Sequence, residues 1–282
     1  MFEAASSSPA ESLGRRMFRL VEPIGVVTYQ AAEPTETLMA LGLRNVWDAY
    51  FAGRAAALGR VPAEVVHALF YNFAEGEAAR HIPRVWEMTT PEAALAARQQ
   101  GSVAALRRIL GDLSGVPGLA RAADLATRAA TDPPMEGRPM YAALRRLPVP
   151  EEPVARLWHA ATLLREHRGD GHVAALVGAG IGGTECHVLH ALSEGMPAER
   201  FGRIHHLPSA RLAAVIDGMR SRGLVDESGL LSDLGRTIKE RIESLTDDLA
   251  APAYAGLSPS ELDRLIADLK PISAALDAVG SQ

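Results

Sequence analysis

The stretch that decides the fold is residues 209–236, SARLAAVIDGMRSRGLVDESGLLSDLGR. Apolar residues recur at helical spacing in its first half: Leu212, Val215, Ile216 and Met219. They predict an amphipathic helix over 209–222, which the glycine that follows would end. Residues 223–231 predict a wing of two short strands around a tight turn, and a long helix is predicted over 233–250. Two shorter helices are predicted before this stretch, over 184–194 and 197–204. This order is that of a winged helix-turn-helix.

The rest of the chain is predicted to be mainly α-helical, because strand-type alternation is scarce and apolar spacings of three and four dominate. The other predicted helices lie near residues 10–28, 35–52, 62–73, 75–82, 90–111, 118–130, 137–146, 153–168, 172–180 and 258–278. Two of them begin with a hydroxyl N-cap before a proline, at Thr90 and Ser258. A proline-rich linker is predicted near 148–153. We therefore expect a helical N-terminal lobe, residues 1–147, and a winged helix-turn-helix C-terminal lobe, residues 151–282.

Composition excludes several classes of protein. Hydrophobic residues make up 48% of the 282, which predicts a folded chain. A net charge of −5 excludes a generic polyanion binder, although a local basic face stays open. The single cysteine, Cys186, excludes a disulfide framework and a cysteine-based zinc cluster, and we expect an inert thiol, no metal and no cofactor. Because no apolar run is long enough to cross a membrane and residues 1–13 lack a signal-peptide pattern, we expect a cytoplasmic protein without membrane contact.

Three segments carry a resemblance to the MarR-type winged-helix regulators, at 209–212, 220–225 and 231–236. The last, LSDLGR, is similar to the family's L-T-x-x-G-R pattern, with serine in place of threonine. The resemblance implies a regulator that binds double-stranded DNA, responds to a ligand and forms a homodimer. The whole chain is also similar to an actinobacterial family of MarR-like proteins, on YFAGR at 50–54 and REHRGDGH at 165–172.

The predicted DNA-contacting residues lie in helix 209–222 and just before it: Arg203, His205, His206, Ser209, Arg211, Arg220 and Arg222. Five arginines against two acids make residues 197–225 locally basic. However, residues 183–250 hold eight basic and eleven acidic side chains, and the turn of the wing is acidic. A net-negative module forfeits the counterion release that dominates affinity for DNA. Direct DNA binding and a winged helix that has lost DNA binding therefore both stay open.

The densest group of ionisable residues is the segment LLREHRGDGH at 163–172. Its candidate ligand-binding residues are Glu166, His167, Asp170 and His172. Glu166 and Asp170 share a helical face, and we expect the helix to break at Gly169. Such a group suits acid–base chemistry, the anchoring of a ligand or a carboxylate/imidazole metal site, although it matches no metal motif. In the structural alternative, Asp170 caps a second helix over 172–180.

The few aromatic residues concentrate in the N-terminal part, at 47–54 and 69–73. The candidates to line a pocket there are Tyr50, Arg54, Tyr71 and Asn72. A tyrosine combines an apolar body with a polar tip, and Arg54 offers a guanidinium to a carboxylate. The alternative is a closed aromatic core.

These features favour a MarR-like, ligand-responsive regulator that associates with double-stranded DNA. One alternative is a small-molecule-binding protein or cofactor-independent enzyme on a winged-helix scaffold that has lost DNA binding. Another is a purely structural interaction module. Fold alone does not decide among them, because one fold supports many functions.

Overall fold

The computed structural model describes residues 11–111, 118–200 and 207–280. The α-helices in these ranges are α1 (Leu13–Gln30), α2 (Ala32–Met39), α3 (Val46–Ala55), α4 (Ala63–Phe70), α5 (Glu77–His81), α6 (Val85–Met88), α7 (Pro91–Leu110), α8 (Leu119–Thr131), α9 (Pro139–Arg145), α10 (Pro153–Gly178), α11 (Gly183–Ser193), α12 (Ser209–Ser221), α13 (Asp233–Ala250) and α14 (Pro259–Gly280). Short 3-10 helices cover Ala56–Leu58, Ala198–Arg200 and Ala251–Tyr254. The prediction of a mainly α-helical protein is confirmed.

Helix α10 is the central element and contacts α1, α7, α8, α9 and α13. Its 26 residues correspond to a length of about 39 Å at the usual helical rise. The predicted break at Gly169 is wrong, because α10 continues without interruption to Gly178. Gly171 explains part of this: a Cβ there would lie 2.9 Å from the guanidinium of Arg138 and 3.3 Å from Cβ of Leu249. This glycine therefore permits close packing rather than ending the helix.

Three hydrophobic clusters form the core of the described residues. The largest draws on α1, α7, α8, α10 and α14 and joins side chains from both sides of the predicted linker, such as Leu106 and Leu265. The second lies among α2 to α7. The third joins the end of α10 to α11, α12 and α13, the helices of the predicted helix-turn-helix. The division into lobes 1–147 and 151–282 stays a prediction, and the largest cluster spans it.

Local capping signals explain where several helices begin. Thr90 Oγ1 accepts a hydrogen bond from the backbone N–H of Ala93 at 3.2 Å, with Pro91 at the first helical position of α7. Ser258 and Glu261 form the reciprocal capping contacts of α14. The single helix predicted over 35–52 is instead two helices, α2 and α3, since a turn with Gly42 at φ 90 separates them.

The predicted two-stranded wing is wrong. Within the described ranges no strand forms, and the segment between α12 and α13 contains an isolated antiparallel bridge between Val225 and Leu231. The carboxylate of Asp226 accepts hydrogen bonds from the backbone N–H of Ser228 and of Leu230, at 2.9 and 3.0 Å. A side chain therefore satisfies donors that a neighbouring strand would otherwise pair, and the chain enters α13 directly after the bridge.

The glycine of the LSDLGR segment has a packing role. A Cβ at Gly235 would overlap the backbone carbonyl of Leu224. Helix α13 thus lies directly against the backbone that leaves α12, a contact that a larger residue would prevent. None of the helices in the described ranges is long and apolar enough to cross a membrane.

Candidate functional site

A cavity of about 220 Å³ lies along one face of α10. Its wall on α10 includes Gly169 and five ionisable side chains of the segment: Arg165, Glu166, Arg168, Asp170 and His172. Phe18 of α1, Phe70 at the end of α4 and Cys186 of α11 form other parts of the wall. The cavity therefore has side chains from the N-terminal helices on one side and from the helix-turn-helix on the other.

A second cavity of about 400 Å³ adjoins the first and reaches α13. The residues that line both are Phe18, Asn72, Arg168, His172, Leu176 and Cys186. We call the two together the central cavity, with a first chamber beside Glu166 and a second chamber beside Glu243. The half-buried thiol of Cys186 borders both chambers.

Arg54 and Glu166 form a buried ion pair at the first chamber, with 3.4 Å between Nη2 and Oε2. The other carboxylate oxygen of Glu166 accepts from Arg165 at 3.1 Å, and Arg165 in turn pairs with Glu22 at 3.0 Å. Burial opposes ionisation of Glu166, but the two guanidinium groups hold its pKa below the ordinary value. The guanidinium of Arg54 also stacks over Phe70, 4.3 Å from the ring centroid. Arg54 is thus held in one orientation.

Asp170 borders the first chamber but does not cap the predicted second helix. Its Oδ2 atom accepts from the backbone N–H of Tyr141 at 2.9 Å, so it caps the N-terminus of α9 across the fold. Burial raises the pKa of Asp170 to about 7, and the negative charge of Glu166 contributes in the same direction. The structure therefore combines a capping role with a carboxyl group that titrates near neutrality.

His172 is joined to α13 rather than to Asp170 or Glu166. Its Nδ1 atom lies 2.9 Å from Oγ1 of Thr246, and the Thr246 hydroxyl donates its own hydrogen to the carbonyl of Ile242. Nδ1 must therefore carry the proton, which leaves Nε2 of His172 as a hydrogen-bond acceptor. Burial lowers the pKa of His172, which favours the neutral imidazole. The expected convergence of Glu166, Asp170 and His172 on one another is not found, because each side chain has a different partner.

His167 does not border either chamber of the central cavity. It is buried on another face of α10, edge-on to Tyr141 at 5.1 Å between ring centroids. Burial lowers the pKa of His167 to about 4, and the nearby Arg138 adds to this shift. Its position is that of a core histidine.

Two arginines connect α13 to the rest of the molecule at the second chamber. Arg15 of α1 contacts Glu243 and Asp247, both at 2.9 Å. Arg168 of α10 contacts the same two carboxylates, at 3.3 and 3.0 Å. Nε of Arg168 is buried and has no hydrogen-bond partner among the described residues. This four-residue group, which we call the α13 clamp, sets the position of α13 relative to α1 and α10.

Tyr71 joins the N-terminal helices to the start of the helix-turn-helix. Its hydroxyl donates to the carbonyl of Ile181 at 2.5 Å, and its φ of 45° is strained for a bulky side chain. A Cβ at Gly183 would overlap the Tyr71 carbonyl, so α11 begins in direct contact with this strained residue. Asn72 follows and lines both chambers, whereas Tyr50 borders a different pocket on the far side of Arg54.

The described arginines of the predicted DNA surface are all paired with carboxylates. Arg211 pairs with Glu75 of the N-terminal part at 2.5 Å, and Arg220 pairs with Asp217 at 2.5 Å. Arg222 pairs with Glu185 at 2.8 Å. Ser209 is exposed at the first position of α12. The other three predicted residues, Arg203, His205 and His206, lie outside the described residues.

Several residues of the central cavity were missed by sequence reasoning: Phe18, Glu22, Arg165, Arg168 and Glu243. Arg165 and Arg168 lie inside the segment that was singled out, and their spacing to Glu166 and His172 places them on neighbouring turns once α10 is continuous. The others come from α1 and α13, and no local pattern connects them to α10. Within the described ranges, no group of three His, Cys, Asp or Glu side chains is arranged to hold a metal ion.

Among the comparisons with known proteins, the match found is to a family model. No curated protein and no solved structure matches the chain. The model of a helix-turn-helix family matches residues 14–282. This match includes α1 and α4 as well as α11 to α13, so it covers every wall of the central cavity. The chain therefore belongs to this helix-turn-helix family.

Proposed function

We propose that the protein is a MarR-like regulator that binds double-stranded DNA through α12 and responds to a small molecule in the central cavity. The observation that carries this proposal is the position of the cavity between α1, α4 and α10 on one side and α11 and α13 on the other. A ligand there contacts the helix-turn-helix and the helices that support it at the same time. Ligand binding is therefore able to favour one placement of α12 over another.

The α13 clamp is the proposed route from ligand to DNA. Arg168 lines both chambers, and its Nη2 atom holds Glu243 and Asp247. An acceptor group of a ligand competes with these carboxylates for the guanidinium, which loosens α13 from α10. Because Gly235 of α13 lies against the backbone after α12, a shift of α13 moves the helix that we propose reads DNA.

For DNA itself we propose contacts from Ser209, Arg211, Arg220 and Arg222, with Arg203, His205 and His206 preceding them. Arg211 and Glu75 are both exposed, and exposed ion pairs contribute little to stability. Arg211 is therefore able to exchange its carboxylate for a phosphate at small cost, whereas Glu185, the partner of Arg222, is partly buried. A homodimer is part of this proposal, since helix-turn-helix dimers read two half-sites about one helical turn apart. Light scattering tests the homodimer by measuring the mass of the protein in solution.

The DNA proposal is tested by fluorescence anisotropy on fragments selected from the source genome. Arg211→Ala and Arg220→Ala are expected to weaken binding and to reduce the salt slope by about one for each lost phosphate contact. Arg107→Ala is the matched control, because Arg107 is an exposed arginine of α7 that is ion-paired with Glu152 and lies outside the proposed surface. The absence of any complex at low salt contradicts the proposal.

The ligand proposal is tested by thermal-shift screening followed by DNA titration. A compound that raises the Tm of the wild type is expected to change its affinity for DNA. His172→Ala and Asn72→Ala remove polar groups from both chambers and are expected to lose both responses, whereas Arg107→Ala keeps them. A compound that stabilises the wild type and His172→Ala equally does not bind in the central cavity.

A second candidate function is a small-molecule-binding protein or cofactor-independent enzyme that has lost DNA binding. The observation that favours it is the pairing of Arg211, Arg220 and Arg222 with carboxylates, which neutralises the described basic side chains of the predicted DNA surface. A ligand response in the wild type together with no DNA complex at low salt supports this second function over the first.

A further inference from the structure

A separate pocket of about 180 Å³ lies among α1, α2, α3 and α7. Its walls are mainly apolar and aromatic, with Leu38, Ala49 and the rings of Tyr29, Trp47 and Tyr50. The Tyr29 and Tyr50 rings lie 5.3 Å apart and the Trp47 and Tyr50 rings 5.7 Å apart. We call it the aromatic pocket. Its volume is close to the roughly 150 Å³ of a cavity that holds a benzene ring.

Arg98 lines this pocket and is almost fully buried, with 3% of its surface exposed. Its Nη2 atom donates to the hydroxyl of Tyr29 at 3.2 Å, but its Nε atom has no partner among the described residues. No carboxylate of those residues forms an ion pair with it. Instead the guanidinium faces the rings of Tyr29 and Trp158, at 5.8 and 5.5 Å from their centroids.

The neighbouring buried arginines are different. Arg54 and Arg165 each contact Glu166 directly. A buried guanidinium without a carboxylate is unfavourable, because the aromatic faces and one hydroxyl replace only part of its hydration. The fold therefore keeps at Arg98, at the wall of a pocket, a positive charge without a carboxylate in direct contact. Glu166, which Arg54 and Arg165 already hold, interacts with this charge only over a longer distance.

We propose that the aromatic pocket binds a small organic carboxylate with a single ring or a short apolar body, and that Arg98 binds its carboxylate group. A carboxylate matches the forked donors of a guanidinium, and the apolar walls exclude a hydrated inorganic ion. Arg54 lines both this pocket and the central cavity, but the carboxylate site at Arg98 lies in the aromatic pocket and does not depend on the DNA-binding proposal.

Two tyrosine hydroxyls supply further donors. The hydroxyl of Tyr29 accepts from Arg98, and that of Tyr50 accepts from Arg54 at 3.0 Å. Since each hydroxyl oxygen is already an acceptor for an arginine, its own hydrogen is available to a carboxylate. Arg54 itself also lines the pocket, so two guanidinium groups and two hydroxyls surround the space.

The pocket has room and access for such a ligand. Gly53 leaves space beside the guanidinium, because a Cβ there would lie 3.8 Å from Cδ of Arg98 and 2.9 Å from Cδ1 of Leu38. Val46, at the start of α3, lines the pocket and is 59% exposed, which marks the opening to solvent. An aromatic ring that enters there lies between Trp47 and Tyr29 with its carboxylate towards Arg98.

The test uses the full chain and benzoate as the probe, with thermal shift and calorimetric titration near neutral pH. Benzoate is expected to raise the Tm of the wild type, and benzyl alcohol and sodium phosphate are expected to bind at least tenfold more weakly. Arg98→Met keeps the length of the side chain without its charge and is expected to lose at least tenfold in affinity for benzoate. Arg107→Met, on the exposed face of the same helix, is the matched control and is expected to bind as the wild type does.

Several results overturn the proposal. The first is that benzoate causes no response in the wild type. The second is that the wild type and Arg98→Met bind benzoate with equal affinity, and the third is that phosphate binds as tightly as benzoate. If Arg98→Met does not fold, Arg98→Lys decides, because lysine keeps the charge but not the fork. A loss of affinity in Arg98→Lys supports the site, and an unchanged affinity removes it.

Discussion

Arg54 and Arg165 at α10 and Arg211 of α12 are alike in having carboxylate partners, but their ion pairs form two sets that differ in burial. Glu166, which holds Arg54 and Arg165, is 4% exposed. Arg211 and its partner Glu75 are 61% and 68% exposed. A buried pair is fixed because separation leaves a charge without solvent, whereas an exposed pair is screened and exchanges partners readily. The first arrangement suits a rigid binding cavity, and the second suits contact with phosphates.

The strongest test of this contrast is Glu166→Ala. Removal of the Glu166 carboxylate leaves the buried guanidinium groups of Arg54 and Arg165 without their partner, so we expect the free energy of unfolding to fall by about 3–5 kcal/mol. The matched control is Asp124→Ala, which removes an exposed carboxylate that pairs with Arg156 and should cost no more than about 1 kcal/mol. Urea denaturation measures both. Equal losses in the two variants would mean that burial does not separate the two sets.

A second test uses the pH dependence of the unfolding free energy that Asp170, at the first chamber, is expected to cause. Burial raises the pKa of Asp170 from 3.8 to about 7, so the native state keeps a proton that the unfolded chain releases. The contribution of Asp170 to the unfolding free energy should therefore fall as pH rises from about 4 to about 7, by up to about 4 kcal/mol at 1.36 kcal/mol per unit of pKa shift. Burial lowers the pKa of His159 and His167 to about 4, so these histidines change the unfolding free energy in the opposite sense over much of the same range. Asp170→Asn still caps α9 but lacks this dependence.

The quantity to measure is the difference in unfolding free energy between Asp170→Asn and the wild type. It should be small at pH 4 and should favour the variant at pH 8. A difference that stays constant over this range contradicts a raised pKa at Asp170.

A third test concerns the contact between α12 and α13. Gly235→Ala places a Cβ against the backbone carbonyl of Leu224, so a loss of about 1–3 kcal/mol in unfolding free energy is expected. Gly218→Ala is the control, because a Cβ in that part of α12 meets nothing within 4 Å and alanine raises helix propensity by up to about 1 kcal/mol. Hydrogen exchange should localise the first effect to α12 and α13. Equal stability of the two variants would remove the packing explanation for the glycine in LSDLGR.

The smallest effect is expected at the exposed pair. Glu75→Gln removes the carboxylate that competes for Arg211, so DNA affinity should rise by less than about tenfold, with no measurable change in Tm. Glu64→Gln removes an exposed carboxylate of α4 that forms no ion pair among the described residues, and it serves as the control. Anisotropy titrations compare the two. A fall in affinity in Glu75→Gln would show that this pair orders the DNA surface instead of competing with it.

The candidate site was partly visible in the sequence. Arg54, Tyr71 and Asn72 were chosen for their residue types, and the structure places all three at the central cavity. Arg98 was not chosen, although its lack of a carboxylate is what distinguishes the aromatic pocket. Whether Arg98 has a carboxylate partner depends on the side chains that α1, α3 and α10 place near it. The spacing of residues within α7 carries no information about this.

Local chemistry in the sequence was enough to determine the helical class, the starts of α7 and α14 and the presence of α11, α12 and α13, because capping and apolar periodicity act between residues within one or two turns. The second half of the helix predicted over 197–204 lies outside the described residues. The continuity of α10 and the loss of the wing were decided by contacts over longer distances and by one side chain. Glycine disfavours a helix by about 1 kcal/mol per residue, yet α10 continues through Gly169 and Gly171, and close packing against Arg138 and Leu249 favours a glycine at 171. Likewise the Asp226 carboxylate accepts hydrogen bonds from the backbone N–H groups of Ser228 and Leu230, which the predicted wing would have paired with a neighbouring strand. Tertiary contacts also chose the partners of each buried charge, since the cost of burial depends on every group that surrounds it.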